Sequence, residues 1–201
     1  MKNIMLCLCI TICANCFSQK DISTYKIQGL GQITVSNLLE LQSGEIKKLA
    51  NKYYQTYSIP YNNRIVFQQA GLNDRNPQSL NTYARIIIQE INGDKEIFNE
   101  YKKHIVDFDN QIKQETKSAL GTQNAKLLSW EKSILTNLNG KSAISCSYTR
   151  QFPNNPVTLT KIYFMETNNS IYKINLEYWL KDKETWSSIL TNAIRTFKIQ
   201  Q

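Results

Sequence analysis

His104 is the single histidine of the chain. Glu100 lies four residues before it and Asp107 three residues after. On a helix those three side chains meet along one edge. A histidine oriented by carboxylates is general-base chemistry, of the kind a small carboxylate-dependent hydrolase or lyase would use. The bland alternative is a boundary histidine on a solvated, charged helix flank. No Gly-x-Ser-x-Gly elbow accompanies it. Beyond residue 18 the chain has one cysteine, Cys146. One histidine and one thiol do not make the nitrogen and sulfur ligand set that zinc needs, so neither a metal nor a cofactor is expected.

Three further groups carry polar or reactive atoms. Asn73-Asp74-Arg75-Asn76-Pro77 follows Gly71 between two strand-like runs. Its amides, carboxylate and guanidinium suit a sugar or a carboxylate, and its residue types equally suit a turn. Tyr53, Tyr54, Tyr57 and Tyr61 are crowded together. Exposed, Tyr54 and Tyr61 would offer a glycan or partner surface. Tyr53 and Tyr57, four apart, are expected to face the core. Cys146 alternates with Ile144 and Tyr148 in a β-rich run, the setting of a small core residue and not of an activated thiol. Gly29-Leu30-Gly31 lacks the pattern and the helix of a phosphate loop.

The elements that position these groups follow from hydrophobic period. Tyr25 and Ile27, then Ile33 and Val35, alternate as two short strands, and Leu38 to Leu41 continues the edge. Ser43-Gly44 starts a helix with Ile46, Leu49, Ala50 and Tyr53 on its apolar face, closed by Pro60 and Asn62-Asn63. Arg64–Gln69 and Thr82–Ile91 are strands. Ile86-Ile87-Ile88 makes the second apolar on both faces, as in a central strand. Asp94 to Ala119 reads as one long helix with the stripe Ile97, Tyr101, Ile105, Phe108 and Ile112. Lys95, Lys102, Asp109 and Lys113 fall away from that stripe, and Gly121 is placed to end the helix.

An antiparallel meander closes the chain: Lys126–Trp130, Lys141–Gln151, Val157–Glu166 and Ile171–Trp179. Asn139-Gly140 makes its strongest hairpin turn, and Asn168-Asn169 its last. Asp182 is placed to cap a final helix, striped by Trp186, Ile189, Leu190, Ala193, Ile194 and Phe197. The fold class is α+β, an antiparallel β-sheet with helices packed on it.

The N-terminus has the grammar of a cleavable signal peptide. Lys2 is followed by an uncharged apolar run from Ile4 to Ala14. That run is short of the roughly 20 residues a membrane-spanning helix needs. Cys16 and Ser18 flank Phe17, which places the cut between Ser18 and Gln19 and leaves 19–201 as one domain. The competing reading is a lipid anchor at Cys16, with a poorly fitting Asn15 before it. No second apolar segment approaches spanning length. The net charge is +8, but the basic residues are spread without a run of five or six. That reads as a solvated basic surface, not a nucleic-acid interface.

Gly140-Lys141-Ser142-Ala143, the meander, Tyr172-Lys173-Ile174-Asn175-Leu176, Trp186 and the terminal Ile194-Arg195-Thr196-Phe197-Lys198-Ile199 together resemble the PsbP-like superfold. That resemblance implies an α-β-α sandwich. It also implies roles as varied as photosystem II extrinsic subunits, a Ran-binding nuclear import factor and bacterial envelope proteins. Leu39-Glu40-Leu41-Gln42-Ser43-Gly44, Val66-Phe67-Gln68-Gln69-Ala70-Gly71-Leu72-Asn73 and Tyr83-Ala84-Arg85-Ile86 resemble an uncharacterised family of exported Bacteroidota proteins. The resemblance implies compartment and fold and carries no catalytic residue. The expectation is therefore a periplasmic or secreted binding or accessory module without catalytic activity. Its partner would be an envelope protein or a glycan. The alternatives are the carboxylate-dependent enzyme and a carrier of a small apolar ligand held between sheet and helices.

Overall fold

The computed structural model describes residues 21–27, 30–57, 64–91, 95–167 and 170–199. The expected leader with Cys16, Ser18 and Gln19, the helix-closing Pro60 and Asn62-Asn63, Tyr61, and the Asn168-Asn169 turn lie outside those residues.

Two sheets organise the chain. Strands β1 (Ile22–Ile27) and β2 (Gly31–Ser36) pair antiparallel, with β10 (Lys198–Ile199) on the other side of β2. The large sheet has seven strands in the order β3-β4-β5-β9-β8-β7-β6. They are β3 (Leu39–Leu41), β4 (Arg64–Gln69), β5 (Ala84–Ile91), β6 (Lys126–Leu138), β7 (Lys141–Gln151), β8 (Thr158–Glu166) and β9 (Ile171–Trp179). Every pairing in it is antiparallel. The helices are α1 (Gly44–Thr56), α2 (Lys95–Lys103), α3 (Ile105–Thr122) and α4 (Lys183–Arg195).

Because successive side chains of a strand point to opposite faces, the sheet carries two cores. One face presents Phe67, Ile86, Ile88, Ile174 and Leu176 to Trp186, Leu190 and Ile194 of α4 and to the small sheet. The other presents Ile144, Cys146, Ile162 and Phe164 to Phe98, Phe108 and Leu120 of α2 and α3. Ile86, Ile87 and Ile88 are all buried, as a strand covered on both sides requires. The expected hairpin turn is present, with positive φ at Asn139 (52°) and Gly140 (85°). The Asn139 amide also donates to the Ile194 and Phe197 carbonyls at 2.7 Å each, tying the hairpin to the end of α4. Among the described residues no helix is long and apolar enough to cross a membrane.

The expected long helix is two. His104 leaves the helical region (φ −111°, ψ 52°) and becomes the residue before α3. With the break, Phe98 is the inward residue at 3% exposure while Ile97 is 54% exposed. The aromatic ring buries more apolar area and takes the inner place. Gly121 does not end α3. The helix continues to Thr122, and Asn124 adopts the left-handed conformation (φ 55°). Ala125 N–H then bonds the Leu120 carbonyl and Asn124 N–H the Gly121 carbonyl, a Schellman closure. Strand β6 runs well past Trp130, to Leu138. Register shifts at Leu127/Ser129 and Glu131/Ile134 break its alternation and hide its length from pattern reading.

Candidate functional site

Glu100 lies in the last turn of α2, His104 between the two helices and Asp107 in the first turn of α3. All three are exposed at the α2–α3 break. Glu100 pairs with Lys103 at 2.6 Å, and that lysine holds its carboxyl below the usual range. Its distance to His104 Nε2 is 3.8 Å. Asp107 sits in the first turn of α3, where a carboxylate complements the helix dipole.

The Asn73 loop is built for structure. Asn73 Oδ1 accepts from Ser43 N–H and from the Gln68 amide, and its own amide donates to the Leu41 carbonyl. Its backbone N–H and that of Gly71 both bond the Glu40 carboxylate. These bonds engage the Asn73 side chain and backbone N–H, while Asp74 and Arg75 are exposed. Arg75 has φ 55°, a turn conformation. Cys146 is buried, and burial pushes its thiol up to about 11, which keeps it a protonated core group.

The tyrosines change places relative to expectation. Tyr54, expected as surface, is the buried residue of α1, with the Arg64 guanidinium 4.2 Å above its ring. Tyr53 and Tyr57, expected in the core, are exposed and lie 4.6 Å apart. Tyr53 donates to Gln123 at the end of α3, so α1 is tethered there across the sheet face. Helix α1 rotates its apolar positions in this way because the face beneath it is polar.

That polar face is what the sequence reading missed. Arg64, Gln89 and Lys173 are register neighbours across β4, β5 and β9. Four residues along each strand, past Val66, Ile87 and Asn175, a second polar row is formed by Gln68, Arg85, Glu177, Thr160 and Tyr148. Arg150 reaches the Glu177 carboxylate at 3.0 Å, and the Tyr83 hydroxyl donates to the same oxygen at 2.6 Å. Burial alone would raise the Glu177 carboxyl. The Arg150 guanidinium, the Tyr83 hydrogen bond and Arg85 outweigh burial and hold it below the carboxylate range. Burial pushes the Tyr83 hydroxyl up, and Glu177 adds to the shift. Lys173 is held below the usual lysine range, first by burial and then by Arg64. The face thus gathers Arg64, Arg85, Arg150 and Lys173 near the buried carboxylate of Glu177. Nε of each of the three arginines is buried and without a hydrogen-bond partner.

Arg64 connects this array to the surface. Strand β3 stops at Leu41, and Gln42 N–H bonds the Val66 carbonyl, so the edge of β4 at Arg64 and Ile65 lies beyond the last strand pairing. A groove of about 420 Å³ opens there, between the end of β1 and helix α1. Lys26, Lys47 and Arg64 line it with Tyr25, Tyr54 and Asn51. The described residues lining it include no Asp or Glu.

No family model matches this sequence, and no curated protein matches it. Solved structures do resemble it. The solution structure of cyanobacterial PsbP (CyanoP) from Synechocystis aligns with a TM-score of 0.58 at 12% identity, over 92% of this chain and 95% of that one. A crystal structure of PA94, a protein of unknown function from Pseudomonas aeruginosa, aligns with a TM-score of 0.46 at 14% identity, over 90% and 99% of the two chains. The first likeness shows a PsbP-like fold, in agreement with the mixed helices and antiparallel sheet. At this identity it shows the fold alone.

Proposed function

We propose that the protein is a non-catalytic binding module of the bacterial cell envelope, engaging an envelope protein or a glycan through the groove at the β4 edge. The observation that carries this reading is Arg64, which joins the exposed lysines of the groove to a buried array of cations on the sheet. A concave site with a few converging polar groups is the form a binding site takes. Export is supported by the leader-like residues 1–18, with release as 19–201.

The test is site-specific photo-crosslinking in the organism that encodes the protein. A crosslinker at Asn51, on the groove, is compared with one at Lys132, on strand β6 at the far edge of the large sheet. A defined adduct from Asn51 and none from Lys132 supports the reading. Adducts from Lys132 alone would overturn it. Intact mass of the captured protein checks for a mature N-terminus at Gln19, and a diacylglyceryl group on Cys16 would instead make it lipid-anchored.

A further inference from the structure

We propose that the β4-edge groove is an oxyanion site, binding the phosphate, sulfate or carboxylate group of a small ligand between Lys26, Lys47 and Arg64. The proposal rests on the groove being the binding surface and names the chemistry that it recognises.

Three independent features converge on it. The first is charge. Lys26, Lys47 and Arg64 line about 420 Å³, and the described lining residues supply no carboxylate to neutralise them. Like charges held around one concavity focus a positive potential into it. The volume suits a small ligand.

The second is the state of Arg64. Its guanidinium lies over the Tyr54 ring at 4.2 Å, which fixes its plane. Its Nε is buried without a hydrogen-bond partner. A buried donor left unpaired costs about 1–3 kcal/mol, more when charged. A planar guanidinium fork matches an oxyanion with two parallel hydrogen bonds.

The third lies behind it. Lys173 follows Arg64 in the same row of side chains, with Gln89 between them. Arg85 sits two rows further along, in the row of Glu177, and Arg150 one row beyond that. The carboxylate of Glu177 is already engaged by Arg150 and Tyr83. At the other end of that row Glu40 is turned to the loop amides of Gly71 and Asn73 and to Gln68. Glu177 acts on Arg64 only at a distance and Glu40 is bonded to other groups, so an incoming anion would supply Arg64 with a hydrogen-bonded counter-charge. Tyr25 adds a half-buried ring and Asn51 an amide, which suits an anionic group carried on a sugar as well as the free ion.

The experiment is calorimetric titration and thermal shift of the mature protein at low salt and again at 0.15 M sodium chloride. The probes are inorganic phosphate, glucose 6-phosphate, glucuronate and, as the neutral control, glucose. The expected result is binding of at least one anionic probe, no binding of glucose, and weaker affinity at the higher salt. Lys47→Glu and Lys26→Glu, both at exposed positions, should each weaken that binding about tenfold while leaving the free protein's Tm nearly unchanged. Arg64→Gln should abolish it, and the lysine variants decide the matter if Arg64→Gln does not fold. Equal affinity for inorganic phosphate and glucose 6-phosphate would identify the free ion as sufficient. A marked preference for the sugar phosphate would identify a saccharide-borne group. Binding of glucose as tight as that of glucose 6-phosphate overturns the proposal. So does binding that survives both lysine reversals, or no binding of any anionic probe. If anions fail while crosslinks from Asn51 persist, the binding surface stands and the oxyanion chemistry falls.

Discussion

The Asp109 carboxylate of α3 accepts the backbone N–H of Ser133 at 2.6 Å, where β6 changes register. The same oxygen accepts the Trp130 indole N–H at 3.0 Å. Burial would raise this carboxyl, but the Ser133 and Trp130 hydrogen bonds outweigh it and hold it below the usual range. A bulge leaves an amide outside the strand ladder, and Asp109 is the group that satisfies it. Asp109→Ala should therefore cost about 1.5–3 kcal/mol, the range for a hydrogen bond to a charged group. A folded-state pKa below the unfolded value of about 3.9 gives stability present above that pH and lost as pH falls through the folded value. Urea unfolding of wild type and variant at pH 7 and pH 3 checks both. A difference that does not shrink at pH 3 would contradict the account.

Among the described residues, Glu177 is the one carboxylate bonded to Arg150 and Tyr83. Breaking a buried pair by removing one partner typically costs about 3–5 kcal/mol, because the other charge stays buried and uncompensated. Glu177→Gln should lose stability in that range at neutral pH. Its folded pKa is also depressed, so the contribution of the carboxylate is present above about pH 4.3 and lost on acidification. Adding Arg150→Met should recover part of the loss, and a double-mutant cycle in denaturant measures that coupling. Strict additivity would show that the two groups do not act as a pair.

The C-terminal architecture was legible in the sequence for local reasons. Tyr172, Ile174, Leu176 and Tyr178 alternate, and the α4 stripe repeats at helical spacing, so each declares its buried face unaided. The cation array was not legible because it shares β9 with that alternation. Lys173, Asn175 and Glu177 read as the wet face of a half-covered strand. They are covered because α1, tethered through Tyr53 to the end of α3, lies over this side of the sheet, a tertiary fact. One signal was available. Ile86-Ile87-Ile88 marks β5 as buried on both faces, and a strand paired with it should have both faces covered as well. Asp109 reads as facing solvent because it is charged, yet it stands four residues after Ile105 and three before Ile112, on the inward face of α3. The break at His104 puts Phe98 inward in place of Ile97 and leaves that face of α3 unchanged.

His104 occupies that break, exposed to solvent. Its backbone, not its ring, makes the connection: His104 N–H bonds the Glu100 carbonyl, and its own carbonyl accepts from Asp107 and Phe108. His104→Ala should therefore change stability by no more than about 0.5 kcal/mol, as for other exposed positions. Thermal unfolding checks the fold, and a growth or binding phenotype checks function. Loss of function at unchanged Tm would restore the carboxylate–histidine enzyme reading.

Trp186 begins the buried stripe of α4 and is fixed at both its apolar and polar ends. Its ring packs into the core shared by β5, β9 and α4, and it is 5% exposed. Its indole N–H donates to the Thr82 hydroxyl at 2.7 Å, which in turn donates to Asp182, the residue preceding α4. Truncation thus removes a large apolar side chain and also one partner of the half-buried Thr82 hydroxyl. Aromatic-to-alanine changes in cores cost about 3–5 kcal/mol, against about 5–15 for a whole domain. Trp186→Ala should lower the unfolding midpoint markedly. Trp186→Phe, which keeps most of the ring and loses the Thr82 bond, should lose distinctly less. Deleting the chain from Asp182 onward uncovers the apolar face of β9 and removes β10 from the small sheet, so soluble expression should fail. A truncated protein that stays folded and merely loses a partner would show that α4 is an interaction arm and not the cover of this core.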